Sequence, residues 1–195
     1  CYCLATLVFI SFITDNFGFI GGGQSNRAGN NAGTITDNQY AVVVGGQSNI
    51  ANSTHSFIGG GEGNSINAEL ATISGGQFNI VDQFNLNPDD GYAAAISGGE
   101  DNHINGSYGF IGGGLTNFIH LDADYGTIGG GGANYIDLGN SYATIAGGEG
   151  ALISGNHGTV AGGKRNQAGE GAFVGGGGVS GFVAANNTGN PVRQA

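Results

Sequence analysis

The chain has 195 residues, 43 of them glycine and only 2 proline, and its 14 acidic residues against four cations leave a net charge of −10. Collagen needs glycine at every third position with abundant proline, and a flexible glycine linker lacks regularly placed Ile, Val, Phe and Tyr, so both classes are excluded. Arg27, Lys164, Arg165 and Arg193 are too few to form the clustered basic surface that nucleic acid or an anionic membrane requires.

At the N-terminus, the lack of any methionine leads us to expect a processed, exported chain. Cys1 and Cys3 lie two residues apart, a spacing unsuited to a mutual disulfide on one strand. A bridge to another chain, a lipid-modified Cys1 and two unpaired thiols all remain open. Residues 3–13, CLATLVFISFI, resemble the apolar part of a signal peptide but lack a basic leader. At roughly 11 apolar residues the stretch is too short to cross a bilayer as a helix, and no membrane-spanning segment is expected. Its Thr, Val, Ile and Phe favour a strand apolar on both sides, with Leu4, Val8, Ile10 and Phe12 on one face and Leu7, Phe9 and Ile13 on the other. Residues 1–16 therefore form either a cap on the chain's own fold or a strand donated to a neighbouring subunit.

From residue 17 to 182 the chain repeats. The second glycine of each pair falls at 23, 46, 61, 76, 99, 114, 131, 148, 163 and 177, giving steps of 23, 15, 15, 23, 15, 17, 17, 15 and 14 residues. Three positions before it stand only Ile or Val, from Ile20 to Val174. Five after it stand only apolar residues, from Ala28 to Phe182. Two inward rungs per turn of about 15 residues predict an all-β parallel solenoid of about ten turns, because helical repeats are longer and do not tolerate a glycine pair in each unit. The glycine pair is expected to turn a corner, and the Asn three residues later (Asn26, Asn49, Asn64, Asn79, Asn102, Asn117, Asn134, Asn166) to bond from turn to turn. Stacked about 4.8 Å apart, ten turns make a rod of roughly 48 Å.

Strand alternation predicts which residues face outward. Four before the marker stand Phe19, Val42, Phe57, Thr72, Ala95, Phe110, Thr127, Thr144, Thr159 and Phe173; two before it stand only Gly, Ala, Ser or Val. Six before it is an aromatic-rich column from Phe17 to His157, expected on the same strand face. None of the three columns carries a charge. Contiguous apolar surface marks an interface, so Phe19, Phe57, Thr72, Phe110, Thr127, Thr144, Thr159 and Phe173 are the candidate seam of a homo-oligomer. The Thr column does not read as an ice-binding row, because Phe interrupts it.

The columns of NSYATIAGGEGALISG, residues 140–155, resemble the head repeats of trimeric autotransporter adhesins, the YadA-like or Hep/Hag repeats. Their pattern runs roughly Asn-Ser-x-Ala-Ile-Gly-x-x-Ser-x-Ala-x-Gly with a period of about 14. The similarity covers residues 17–182. It implies a left-handed β-roll, three chains side by side, and display outside the cell for attachment. The doubled glycine, Asn where the family often has Ser, and bulkier Ile and Phe depart from that pattern, and similar repeats occur in phage and other surface fibres.

Chemistry is sparse. The run GGKRN (residues 162–166) continues into a strand, not a helix N-terminus, so it is no phosphate loop. Neutral Asn stands where calcium β-rolls repeat Asp, and the acids of NPDDG (87–91) and HLDAD (120–124) read as solvated loop charges. His55 and His157 share the aromatic column and are expected to stack. No Ser, His and acid recur in a triad-like order, and the acids give no positive sign of a glycosidase pair. No enzyme, cofactor or metal is expected. The two insertions, residues 29–39 and 82–91, leave after the same rung three turns apart, and loops on a rigid scaffold favour recognition. Asn30, Asn31, Thr34, Asp37, Asn85, Asn87, Asp89 and Asp90 are the candidate contacts for a host receptor or glycan. Asn52, Asn105 and Asn186 head glycosylation sequons. The sequence thus predicts an extracellular structural protein, a trimeric subunit of a surface fibre able to polymerise head to tail through residues 1–16 and the tail 183–195. The alternative is an adhesin head or phage tail-fibre module.

Overall fold

A computed structural model describes residues 10–83, 90–177 and 184–185. Every regular element in them is a two-residue β-strand, and there is no helix among the described residues. Two parallel sheets alternate along the chain. The ten-stranded sheet I runs from Phe19–Ile20 to Phe173–Val174, and the eleven-stranded sheet II from Phe12–Ile13 to Ala184–Ala185. Each strand pairs with its equivalent one turn away, in the register that glycine alignment gives: Ile96 opposite Ile111, Ile104 opposite Ile119. The architecture is a parallel β-solenoid of about ten turns. A third stacked row, Gln24, Gln47, Glu62, Gln77, Glu100, Leu115, Gly132, Glu149 and Lys164, joins the turns at the corner between the sheets.

The core is the space between the sheets. Ile58, Ile73, Ile96, Ile111, Ile128 and Ile145 reach in from sheet I, and Ile66, Ile104, Ile119, Ile136 and Ile153 from sheet II, all fully buried. Each such burial is worth roughly 1.5–3 kcal/mol. The last rung differs from expectation. Sheet II closes on Ala184–Ala185, with Ala185 opposite Ala168, whereas alignment on Gly177 had placed Phe182 there; Phe182 lies outside the described residues.

Fixed left-handed residues turn the corners. All ten marker glycines have φ between +86° and +108°. At Gly114 (φ +93°) a Cβ would also run into the Gly131 carbonyl of the next turn, so stacking and dihedral both demand glycine. The aromatic column corrects the strand-alternation argument. Phe17, Tyr40, His55, Tyr108, Tyr125, Tyr142 and His157 sit at φ +56° to +63°, at a corner just before sheet I and not within its strand. A non-glycine residue there costs about 1 kcal/mol. Stacking compensates: Tyr108 on Tyr125 at 4.8 Å and Tyr125 on Tyr142 at 4.9 Å, both near-parallel at 4°. Tyr142 continues onto His157 and Tyr40 onto His55, as their shared column predicts.

The Asn column forms a buried ladder. Asn117 donates Nδ2 to Asn102 Oδ1 (3.1 Å), Gly113 O (2.9 Å) and Gly131 O (3.0 Å), and its Oδ1 accepts from the backbone N–H and Nδ2 of Asn134. The amide thereby fixes the glycine corner of its own turn and joins it to both neighbours.

Candidate functional site

The outer face of sheet I is continuous and uncharged. Phe19, Val42, Phe57, Thr72, Ala95, Phe110, Thr127, Thr144, Thr159 and Phe173 stand in one row, held in register by parallel pairing. The four phenylalanines are 53%, 38%, 40% and 61% exposed, far more than a core ring allows. Each is followed two residues on by glycine: Gly21, Gly59, Gly112 and Gly175. A Cβ at those glycines would lie 3.3–3.6 Å from the Phe Cε1, so each ring leans over its glycine and levels the face. Charge begins only beyond the glycine corner, on Glu62, Glu100, Glu149 and Lys164. There Lys164 pairs with Glu149 at 2.9 Å and holds its carboxyl below the ordinary range by hydrogen bond and charge.

The N-terminal strand covers the first edge of its own coil. Phe12–Ile13 pairs in parallel with Arg27–Ala28, extending sheet II ahead of residue 17. Ile10, Phe12 and Ile13 are each more than half exposed; Leu4, Leu7, Val8 and Phe9 lie outside the described residues. The first insertion folds back on this end. Asn30 N–H donates to Asp15 Oδ2, Asn31 N–H to Thr14 Oγ1 and Asn16 N–H to Ile35 O. Asn30 Nδ2 donates to Asp37 Oδ2 at 2.8 Å, and this bond with that of Thr34 lowers the Asp37 carboxyl to about 2. Ile35 is left 60% exposed at the outside of the loop. Of the second insertion, Asn85, Asn87 and Asp89 lie outside the described residues, and Asp90 is buried and engaged within the chain.

Sheet II carries a feature that the sequence reading missed. Its corner bears a second side-chain ladder: Arg27 Nη2 donates to Asn52 Oδ1, Asn52 Nδ2 to Asn67 Oδ1, and Asn67 Nδ2 to Asp82 Oδ1 at 3.1 Å. The ladder stops at Asp82. The next residue in that column, Asn105, is 6% exposed, and its Oδ1 has no partner among the described residues. Asp82 and Asn105 line a groove of about 380 Å³ with His103, Phe118, His120 and Leu121. Phe118 is flanked by His103 (4.8 Å, tilted) and His120 (4.9 Å, edge-on). Burial holds the His103 imidazole below its ordinary pKa against the pull of Asp82 and Asp101, and its Nε2 is buried without a partner. His120 Nδ1 accepts the Leu121 N–H at 2.9 Å, which leaves Nε2 as its proton-bearing nitrogen. Alignment of the columns four and six after the glycine would have set His103 beside Phe118 and Asn105 beside His120. No family model and no curated protein matches the chain.

Proposed function

We propose that this is a non-enzymatic extracellular structural protein that works by packing side by side with copies of itself, three chains to a bundle, within a surface fibre. The observation that carries this is the ten-row outer face of sheet I, without a charge in a chain of net charge −10. A second copy is the occupant that fits. Two such faces meet without burying a charge, while the acidic corner beside them stays in water. The resemblance of the repeats to YadA-like heads supports three chains and an extracellular setting.

Replacing Thr127 and Thr144 together by Arg places two unpaired charges in the proposed seam. The double variant is expected to sediment as a monomer with unchanged far-UV circular dichroism. Tyr135→Arg, exposed on sheet II, is expected to leave association intact. Association that survives the double substitution rules out this face. The second reading, a receptor- or glycan-binding head, is favoured by the tethering of residues 29–39 around the exposed Ile35. Loss of target binding on replacing residues 30–37 with a short turn, with association retained, would favour it.

A further inference from the structure

Two of the residues that line the groove on sheet II carry polar atoms that the fold leaves unsatisfied. Asn105 Oδ1 and His103 Nε2 are buried with no partner among the described residues, although a buried orphan of this kind is costly. Elsewhere the same corner column satisfies its amides one turn to the next. The ladder ends at Asp82, where a groove of about 380 Å³ opens, a volume within the range of small-molecule sites.

The lining narrows the ligand chemistry. Asn105 Oδ1 needs a donor; His120 Nε2, its other nitrogen already bonded to Leu121, offers one. Phe118 and Leu121 supply apolar wall. A hydrocarbon would leave both polar atoms orphaned. An anion would meet the Asp82 carboxylate in a chain of net charge −10. Among the described residues no three His, Cys, Asp or Glu side chains are placed to hold a metal ion. A neutral ring bearing adjacent hydroxyls meets every demand, since each hydroxyl both donates and accepts while the ring's C–H face packs on Phe118.

We propose that the groove formed by Asp82, His103, Asn105, Phe118, His120 and Leu121 binds one pyranose ring. Asn105 Oδ1 accepts a hydroxyl proton, and the imidazoles of His103 and His120 complete the hydrogen bonding. The site lies on sheet II, away from the sheet I face, so it stands or falls independently of self-association.

The test is a titration of the full chain with the methyl glycosides of glucose, galactose, mannose and N-acetylglucosamine at millimolar concentration. The imidazole carbon-bound proton resonances report binding. Saturable shifts of His103 and His120 by at least one glycoside are expected, with His55 and His157, stacked in the aromatic corner, unmoved. The open-chain polyol sorbitol should not reproduce them. Asn105→Leu is expected to weaken binding about tenfold while raising the thermal midpoint, because it removes an orphaned acceptor. His120→Phe keeps the ring, loses the donor, and should weaken binding similarly; it decides the matter if the Leu variant misfolds. Four silent glycosides, equal shifts with sorbitol, or affinity unchanged in both variants would overturn the proposal.

Discussion

Replacing Asn117 by Ala removes one rung from the middle of the asparagine ladder. The lost amide donates to Asn102 Oδ1, Gly113 O and Gly131 O, and accepts from Asn134. The backbone N–H of residue 117 keeps its bond to Asn102 Oδ1, and Gly131 O keeps the Leu115 N–H. Two or three net hydrogen bonds at about 1 kcal/mol each therefore disappear. The Asn134 backbone donor is also left buried without an acceptor, at a further 1–3 kcal/mol. The expected loss is about 3–5 kcal/mol, at the severe end for a single substitution. Asn166→Ala, near the end of the ladder, forfeits among the described residues the amide bonds to Gly162 and Gly177 and should cost about 1–2 kcal/mol. Urea denaturation followed by far-UV circular dichroism measures both. Equal losses at the two sites, or a loss below about 1 kcal/mol at Asn117, would refute the view that the amides join the turns.

Gly114→Ala should cost about 3 kcal/mol, since it adds a steric conflict with Gly131 to the left-handed penalty; Gly33→Ala, at φ +87° with open space around it, should cost only about 1 kcal/mol. Denaturation midpoints of the pair separate conflict from dihedral. His103 has its pKa lowered in the folded chain, first by burial and further by His120, against Asp82 and Asp101. The unfolded chain thus takes up the proton first, and stability should fall as pH drops from about 6.5 through the folded pKa. A His103→Gln variant should show a shallower decline over that window. Thermal melts across the pH series check the sign; a stability that rises on acidification would contradict it.

The features carried by period and residue type were legible in the sequence. Ile or Val before the glycine and an apolar residue after it became the two buried rungs, because a parallel stack repeats each environment at each turn. Asn repeated for the same reason, and its ladder followed. The aromatic corner was misplaced because alternation assumes extended backbone. Tyr108, Tyr125 and Tyr142 are left-handed, as are Leu70 and Ala93 in the same column, and the stacking between turns that helps offset the cost for the rings lies in three dimensions. Ala185 stands opposite Ala168 at the end of sheet II, where glycine alignment puts Phe182, a difference of register that composition does not reveal. The groove at His103 was harder to see because it depends on where a ladder stops. Asn52 and Asn67 find partners across the turn and Asn105 does not, although all three belong to one column.

Association through sheet I is tested most directly by sedimentation equilibrium of the unmodified chain at micromolar concentration. A species of three times the 19.3 kDa chain mass, or larger multiples where trimers join end to end, is expected. A stable 19.3 kDa monomer that keeps its phenylalanine row in water would contradict it.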